Sequence, residues 1–162
     1  MPKSFLNNHK VRGLRNNNPG NLVKTNIAWQ GKILKSTDKN FEQFENIYWG
    51  LRAMYKDLIN DINKGKDTVT KLINEYAPPH ENDTTAYINK VAKSVGVQPN
   101  QKLSKINGAF LMLLGRAIIK VELGNAHTEV TDSDLKKAIG MLGNVSTPSL
   151  EVVTSSFFFS KL

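Results

Sequence analysis

Residues 105–125 read KINGAFLMLLGRAIIKVELGN, the most apolar stretch of a 162-residue chain. The apolar residues cover too wide an arc of a 3.6-residue repeat for a surface helix, so the spacing predicts a central, buried one. Gly124 marks its end, because glycine accepts the backbone angles that close a helix. One residue in it is out of keeping. Glu122 is the one acid between Asp83 and Glu129, at the end of a largely apolar run from Ala109 to Val121. A carboxyl beside so much apolar surface loses hydration, which raises its pKa as a general acid at neutral pH requires. The helix macrodipole also disfavours an anion at this end. The plainer reading is a solvated, helix-terminal glutamate.

Other helices are expected around this one. NFEQFENIYWGLRAMYKDLIND moves into helical spacing, with Leu51, Met54, Tyr55, Leu58, Ile59 and Ile62 on one side and Lys64-Gly65-Lys66 as the stop. Thr68 caps TVTKLINEYA, which Pro78-Pro79 ends, and Asp83 or Thr84 caps a helix closing at Gly96. DSDLKKAIGMLGN is a last capped helix before STPSLEVVTSSFFFSKL. In LVKTNIAWQGKIL, β-branched and aromatic residues around Gln30-Gly31 suggest a short hairpin. The expected fold class is mostly α (α+β): a helical domain with one small hairpin. The chain reads as a single domain, with 1–11 a loose N-terminal arm, 12–125 the core, and 126–162 a C-terminal helix and apolar tail.

Composition narrows the chemistry. There is no cysteine, which excludes disulfides, thiol catalysis and zinc–thiolate sites. No stretch resembles a secretory signal, and no apolar run approaches the roughly 20 residues that span a bilayer. Export would then use another route, such as a holin or packaging in a particle. Of the net +8, residues 1–37 supply seven Lys or Arg and no acid, leaving fifteen cations against fourteen acids elsewhere. Such a patch favours an anionic partner: nucleic acid, a membrane surface or a cell-wall polymer.

RGLRNNNPGN, residues 12–21, holds two arginines, three consecutive asparagines, and then Pro-Gly-Asn. These residues favour turns, so the stretch is either a surface loop or a rigid polar loop that reads hydroxyls and amides. Trp29, Trp49 and Tyr76 can stack on a sugar face or fill a core. His80, Glu81, Asn82 and Asp83 form a polar cluster better suited to helix entry than to metal, since no second His stands at ligand spacing. Glu42 and Glu45, among Phe41, Phe44, Tyr48 and Trp49, could form a site, or their aromatic neighbours a hydrophobic staple. No Gly-rich phosphate loop and no nucleophile elbow is present.

Taken in order, RGLRNNNPGNL, the W-x-G at Trp29 and Gly31, FEQFEN, GLRAM, INEYAPPHENDTTAYINKV and AIIKVELGN resemble a family of phage muralytic proteins. The set is similar to the virion lytic enzyme of the enveloped double-stranded RNA phages. It also resembles, more distantly, lytic transglycosylases of the lysozyme superfamily. The resemblance spans roughly residues 12–125 and works best if the order of elements is circularly permuted. GLRAM then resembles the G-x-x-A helix and INEYA the tyrosine segment. ENDTTAYINKV matches E-T-x-x-Y-V-x-x-V with Glu81, Tyr87 and Val91 in place, and AIIKVELG brings Glu122 to the position of the catalytic acid. Relatives read HENG where this chain reads VELG.

The resemblance implies a permuted lysozyme-like fold that cleaves the β-1,4 bond between N-acetylmuramic acid and N-acetylglucosamine in peptidoglycan. Glu122 would be the single acid and base. Arg15, Asn16, Asn17, Asn18, Gly20, Asn21, Trp29, Tyr76, Glu81 and Tyr87 would hold the glycan. It calls for no metal and no cofactor. The protein would be virion-associated, or made in the host cytoplasm to act on the wall, with FFFSKL a further contact to virion proteins. Muramidase-type hydrolysis, which needs a second carboxylate such as Glu42 or Glu45, and peptide-bond cleavage are the enzymatic alternatives. A non-catalytic virion or nucleic-acid-binding basic protein is the other class.

Overall fold

The computed structural model describes residues 1–78 and 83–143. Six helices and a 3-10 segment make up its regular structure among these residues: α1 (Arg12–Arg15), α2 (Ile47–Asn63), α3 (Val69–Tyr76), α4 (Thr84–Val95), α5 (Gly108–Leu123), the 3-10 segment Gly124–Glu129, and α6 (Asp132–Gly140). Each long helix starts on a side chain able to accept from an unpaired backbone N–H. Asn46 caps α2, Thr68 α3, Asp83 α4 and Asn107 α5, and Thr131 with Asp134 forms a reciprocal capping box at α6. Gly96 closes α4 in the left-handed region at φ 77°.

The apolar stretch at 105–125 is the central helix. Leu111, Leu114, Ala117, Ile118, Ile119 and Leu123 of α5 are buried in one cluster with Leu51, Met54, Tyr55, Leu58, Ile59 and Ile62 of α2. α5 packs on α4 and on α6, and α6 also packs on α2. Tyr55 crosses this core to donate its hydroxyl to the Leu111 carbonyl at 2.9 Å. That bond satisfies the one polar atom of a fully buried ring. No helix among the described residues is long and apolar enough to cross a membrane.

Three expectations are corrected. First, Gln30-Gly31 does not turn a hairpin between its own flanks. The segment 41–45 instead runs antiparallel to both limbs, through isolated bridges Val23–Phe41 and Lys32–Phe44. Backbone bonds from Glu42 N to Leu22 O and from Ile33 N to Gln43 O hold it there. Second, residues 1–11 are not a loose arm. Ile47 N donates to Lys3 O, Phe5 N to Asn17 Oδ1 and Asn7 N to Arg15 O, while Phe5 packs against the core. Third, the polar stretch at 12–21 begins with one helical turn, α1, before the asparagines. Pro79, the His80–Asn82 part of the polar cluster with the expected site residue Glu81, and the tail 144–162 lie outside the described residues.

Candidate functional site

Three asparagines in a row are the local cause of the site's shape. Asn17 and Asn21 hold φ of 50° and 52°, left-handed values that asparagine tolerates better than most residues. The chain therefore folds back on itself twice within five residues. Asn16, Asn17 and Asn18 are 1%, 0% and 0% exposed. Asn16 donates to Asp38 Oδ2 and accepts from Gln43 Nε2; Asn17 donates to Ser4 Oγ and the Phe44 carbonyl. Asn18 donates to the carbonyls of Leu22 and Glu42 and accepts from Leu22 N. Their amides are used in building the fold and do not face the cleft. Arg15, half-buried, donates its guanidinium to the carbonyls of His9 and Lys10 and does not line the cleft.

The outcome of that bracing is the placement of Asn21. Its Nδ2 donates to Glu122 Oε1 at 2.9 Å, and the Tyr87 hydroxyl donates to Glu122 Oε2 at 2.8 Å. Glu122 thus meets a residue 101 positions earlier in the chain and another 35 earlier. Tyr76 stands beside them and donates its hydroxyl to the Gly20 carbonyl at 2.5 Å. A Cβ at residue 20 would collide with that hydroxyl and with Met54, so glycine is required there by closeness of approach. Tyr76 therefore acts as a clamp on the backbone just before Asn21, with its ring lining the cleft.

The cleft has a volume of about 730 Å³. It is lined by Gly20, Asn21, Tyr76, Ala77 and Glu122 together with Val23, Lys24, Lys39, Asn40 and Phe41. Among the described residues lining it, Glu122 is the one carboxylic acid. Burial pushes the Glu122 pKa up, and the Asn21 and Tyr87 hydrogen bonds, which favour the charged form, pull against it. Burial and the facing carboxylate in turn raise the Tyr87 hydroxyl, keeping it a donor. A smaller cavity of about 240 Å³ adjoins the cleft, sharing Asn21, Val23 and Tyr76, and its lining includes Trp29, Asp57, Asp61 and Glu75.

Of the expected site residues, Gly20, Asn21, Tyr76 and Tyr87 come together with Glu122, and Trp29 lines the adjoining cavity. Asn16, Asn17, Asn18 and Arg15 are scaffold. Sequence reading placed Phe41 only beside Glu42 and Glu45, and did not single out Lys24, Lys39, Asn40 or Asp57 as site residues. Val121, the residue before Glu122, is apolar, and the carboxyl takes its partners from Asn21 and Tyr87.

No protein-family model matches the chain. Over 101 residues it is 38% identical to Protein P5 of Pseudoalteromonas phage PM2, a match covering 60% of this chain and 63% of that one. The chain thus spans less than two thirds of the length of the curated relative it matches, and what it is similar to is a phage protein.

Proposed function

We propose that this protein is a phage peptidoglycan-degrading enzyme, a lytic transglycosylase with a permuted lysozyme-like fold. The observation that carries the reading is a carboxyl of raised pKa, bonded by Asn21 and Tyr87, as the one acid described in a cleft roomy enough for sugar rings. Hydrolysis by two carboxylates needs a second acid roughly 5–10 Å away. Glu42 is buried and engaged by Lys32 and Thr25, and Asp57, Asp61 and Glu75 line the adjoining cavity and not the cleft itself, so the single acid described in the cleft is the basis for the chemistry that needs one. The relative's phage origin agrees with a virion or lysis role.

In this reaction Glu122 gives its proton to the bridging oxygen as the bond to C1 of N-acetylmuramic acid breaks. The substrate's own acetamido oxygen stabilises the positive charge at C1. The Glu122 carboxylate then takes the proton from the C6 hydroxyl as that oxygen bonds to C1. The product is a 1,6-anhydro sugar, no water is consumed, and Glu122 ends protonated as it began. Asn21 and Tyr87 act as positioning residues, since both bond the carboxyl itself.

The test is digestion of purified peptidoglycan by wild type and Glu122→Gln with mass analysis of the released muropeptides. Anhydro products from wild type, falling by about 10³-fold or more in the variant, are expected from losing both acid and base. Reducing ends would replace the reading with hydrolysis. Full activity of Glu122→Gln would overturn the assignment of the acid.

A further inference from the structure

The segment between Leu22 and Phe44 contains no helix, and two isolated bridges pair it with itself. Every residue from Val23 to Ala28 is exposed. Yet this segment forms a wall of the groove. Val23 and Lys24 line the Glu122 cleft, while Val23, Thr25, Ile27 and Trp29 line the adjoining cavity. A wall that binds a sugar ring tightly has to be ordered before the ligand arrives, because ordering it on binding costs affinity.

One ammonium orders it. Lys32 Nζ donates to the carbonyls of Thr25 at 2.8 Å and Ile27 at 3.0 Å, and lies 3.1 Å from Glu42 Oε2. The same Oε2 accepts from Thr25 N at 3.2 Å. Glu42 is itself anchored through its backbone to Leu22 and to the Asn18 amide, one turn from Asn21. The Lys32 and Glu42 side chains are 13% and 1% exposed. Glu42 Oε1 is buried and receives no hydrogen bond. A pair retained for stability would have both oxygens satisfied, since an orphan buried acceptor is costly. What the arrangement achieves is geometry: three bonds from one atom close residues 25–32 into a fixed loop.

We propose that the Lys32–Glu42 pair is a positioning device that fixes residues 24–31 as the far wall of the groove and so sets affinity for sugar units beyond the bond that Glu122 cleaves. The identity of the ligand rests on the glycan reading above.

The experiment uses the Glu122→Gln protein, which holds substrate without consuming it, carrying Lys32→Met, Lys32→Arg or Glu42→Gln. Affinity is measured for a tetrasaccharide of alternating N-acetylglucosamine and N-acetylmuramic acid, and amide hydrogen exchange is followed peptide by peptide. In Lys32→Met, exchange over 24–31 is expected to rise about tenfold or more while peptides from α2 and α5 stay unchanged, and binding is expected to weaken roughly tenfold. Lys32→Arg, which keeps the charge, should recover part of both. In otherwise wild-type protein the same change should raise KM more than it lowers kcat. Faster exchange with unchanged affinity would overturn the proposal, as would exchange that does not move, or a parent that does not bind the tetrasaccharide. The glycan reading fails separately, when wild type releases no muropeptides; release of anhydro products with an indifferent Lys32 would sink the pin alone.

Discussion

Glu122 is under two opposed influences, burial that favours the neutral acid and two donors that favour the carboxylate. Removing a donor has a definite sign. Tyr87→Phe deletes a hydrogen bond to the charged form, so the Glu122 pKa should rise further, and the alkaline limb of kcat/KM should move to higher pH. A shift to lower pH, or none, would mean that Tyr87 does not tune the acid. Asp57 behaves differently. Burial first, and then the negative charges of Asp61 and Glu75, push its pKa up to about 6. A carboxyl whose folded pKa exceeds its unfolded value is a burden when ionised, so it costs stability above about pH 6 and the cost fades as pH falls toward 4. Asp57→Asn should therefore stabilise the protein by about 1–2 kcal/mol at pH 8 and by little at pH 4.5, read as the difference in Tm at the two values.

Helices were legible in the sequence because each carries its own signals. Thr68, Asp83, Gly96 and the wide apolar arc of α5 all act within a few residues of where they stand. The asparagine loop was legible as irregular, but its purpose was not. Whether Asn18 faces a ligand or the carbonyls of Leu22 and Glu42 depends on what the fold places opposite, up to 24 residues away. The same limit hid the bridging role of 41–45. Glu122 was legible because an acid in an apolar helix is unusual wherever its partners come from, whereas Asn21 and Tyr87 gained their roles by assembly. One contact between elements sets the level at which α2 supports the loop. A Cβ at Gly50 would collide with the backbone carbonyl of Asn17, which cannot move without disturbing Asn18 and Asn21. Gly50→Ala should cost about 2–3 kcal/mol by overpacking, a fall in Tm of roughly 5–10 °C. Its activity should fall by more than the folded fraction does, because Asn21 is displaced with the loop. A variant with wild-type Tm would show that α2 and the loop tolerate separation.

At the scale of the molecule, the excess positive charge of residues 1–37 was visible in the sequence, but its use was not. Arg12 makes two hydrogen bonds to Asp38, Lys24 donates to the Asp38 carbonyl, Lys32 pairs with Glu42, and Lys3 reaches Asp134 at the start of α6. Three of these four cations thus brace the irregular segment that carries them, and Lys3 ties the first residues to α6, while Lys10, Arg12, Lys24 and Lys35 remain exposed to solvent. Lys3 shows what this does for the whole. Its Nζ lies 2.6 Å from Asp134 Oδ2 and donates to the Glu129 carbonyl, while Tyr48 of α2 donates to Asp134 Oδ1. One carboxylate therefore joins the first residues, α2 and α6. Burial opposes its ionisation, but the bonds from Lys3 and Thr131 outweigh burial and hold its pKa below the ordinary value. A carboxyl with a depressed folded pKa adds stability above its unfolded pKa and loses it as pH falls through the folded one. Lys3→Met should then cost about 1–2 kcal/mol at pH 7, because Asp134 stays buried without its cation. The deficit should narrow below about pH 4, where protonation begins to remove the charge that needed a partner. Thermal unfolding of both proteins from pH 2 to pH 8 measures it, and a deficit that stays constant across that range would assign the contribution of Lys3 to packing of its stem rather than to Asp134.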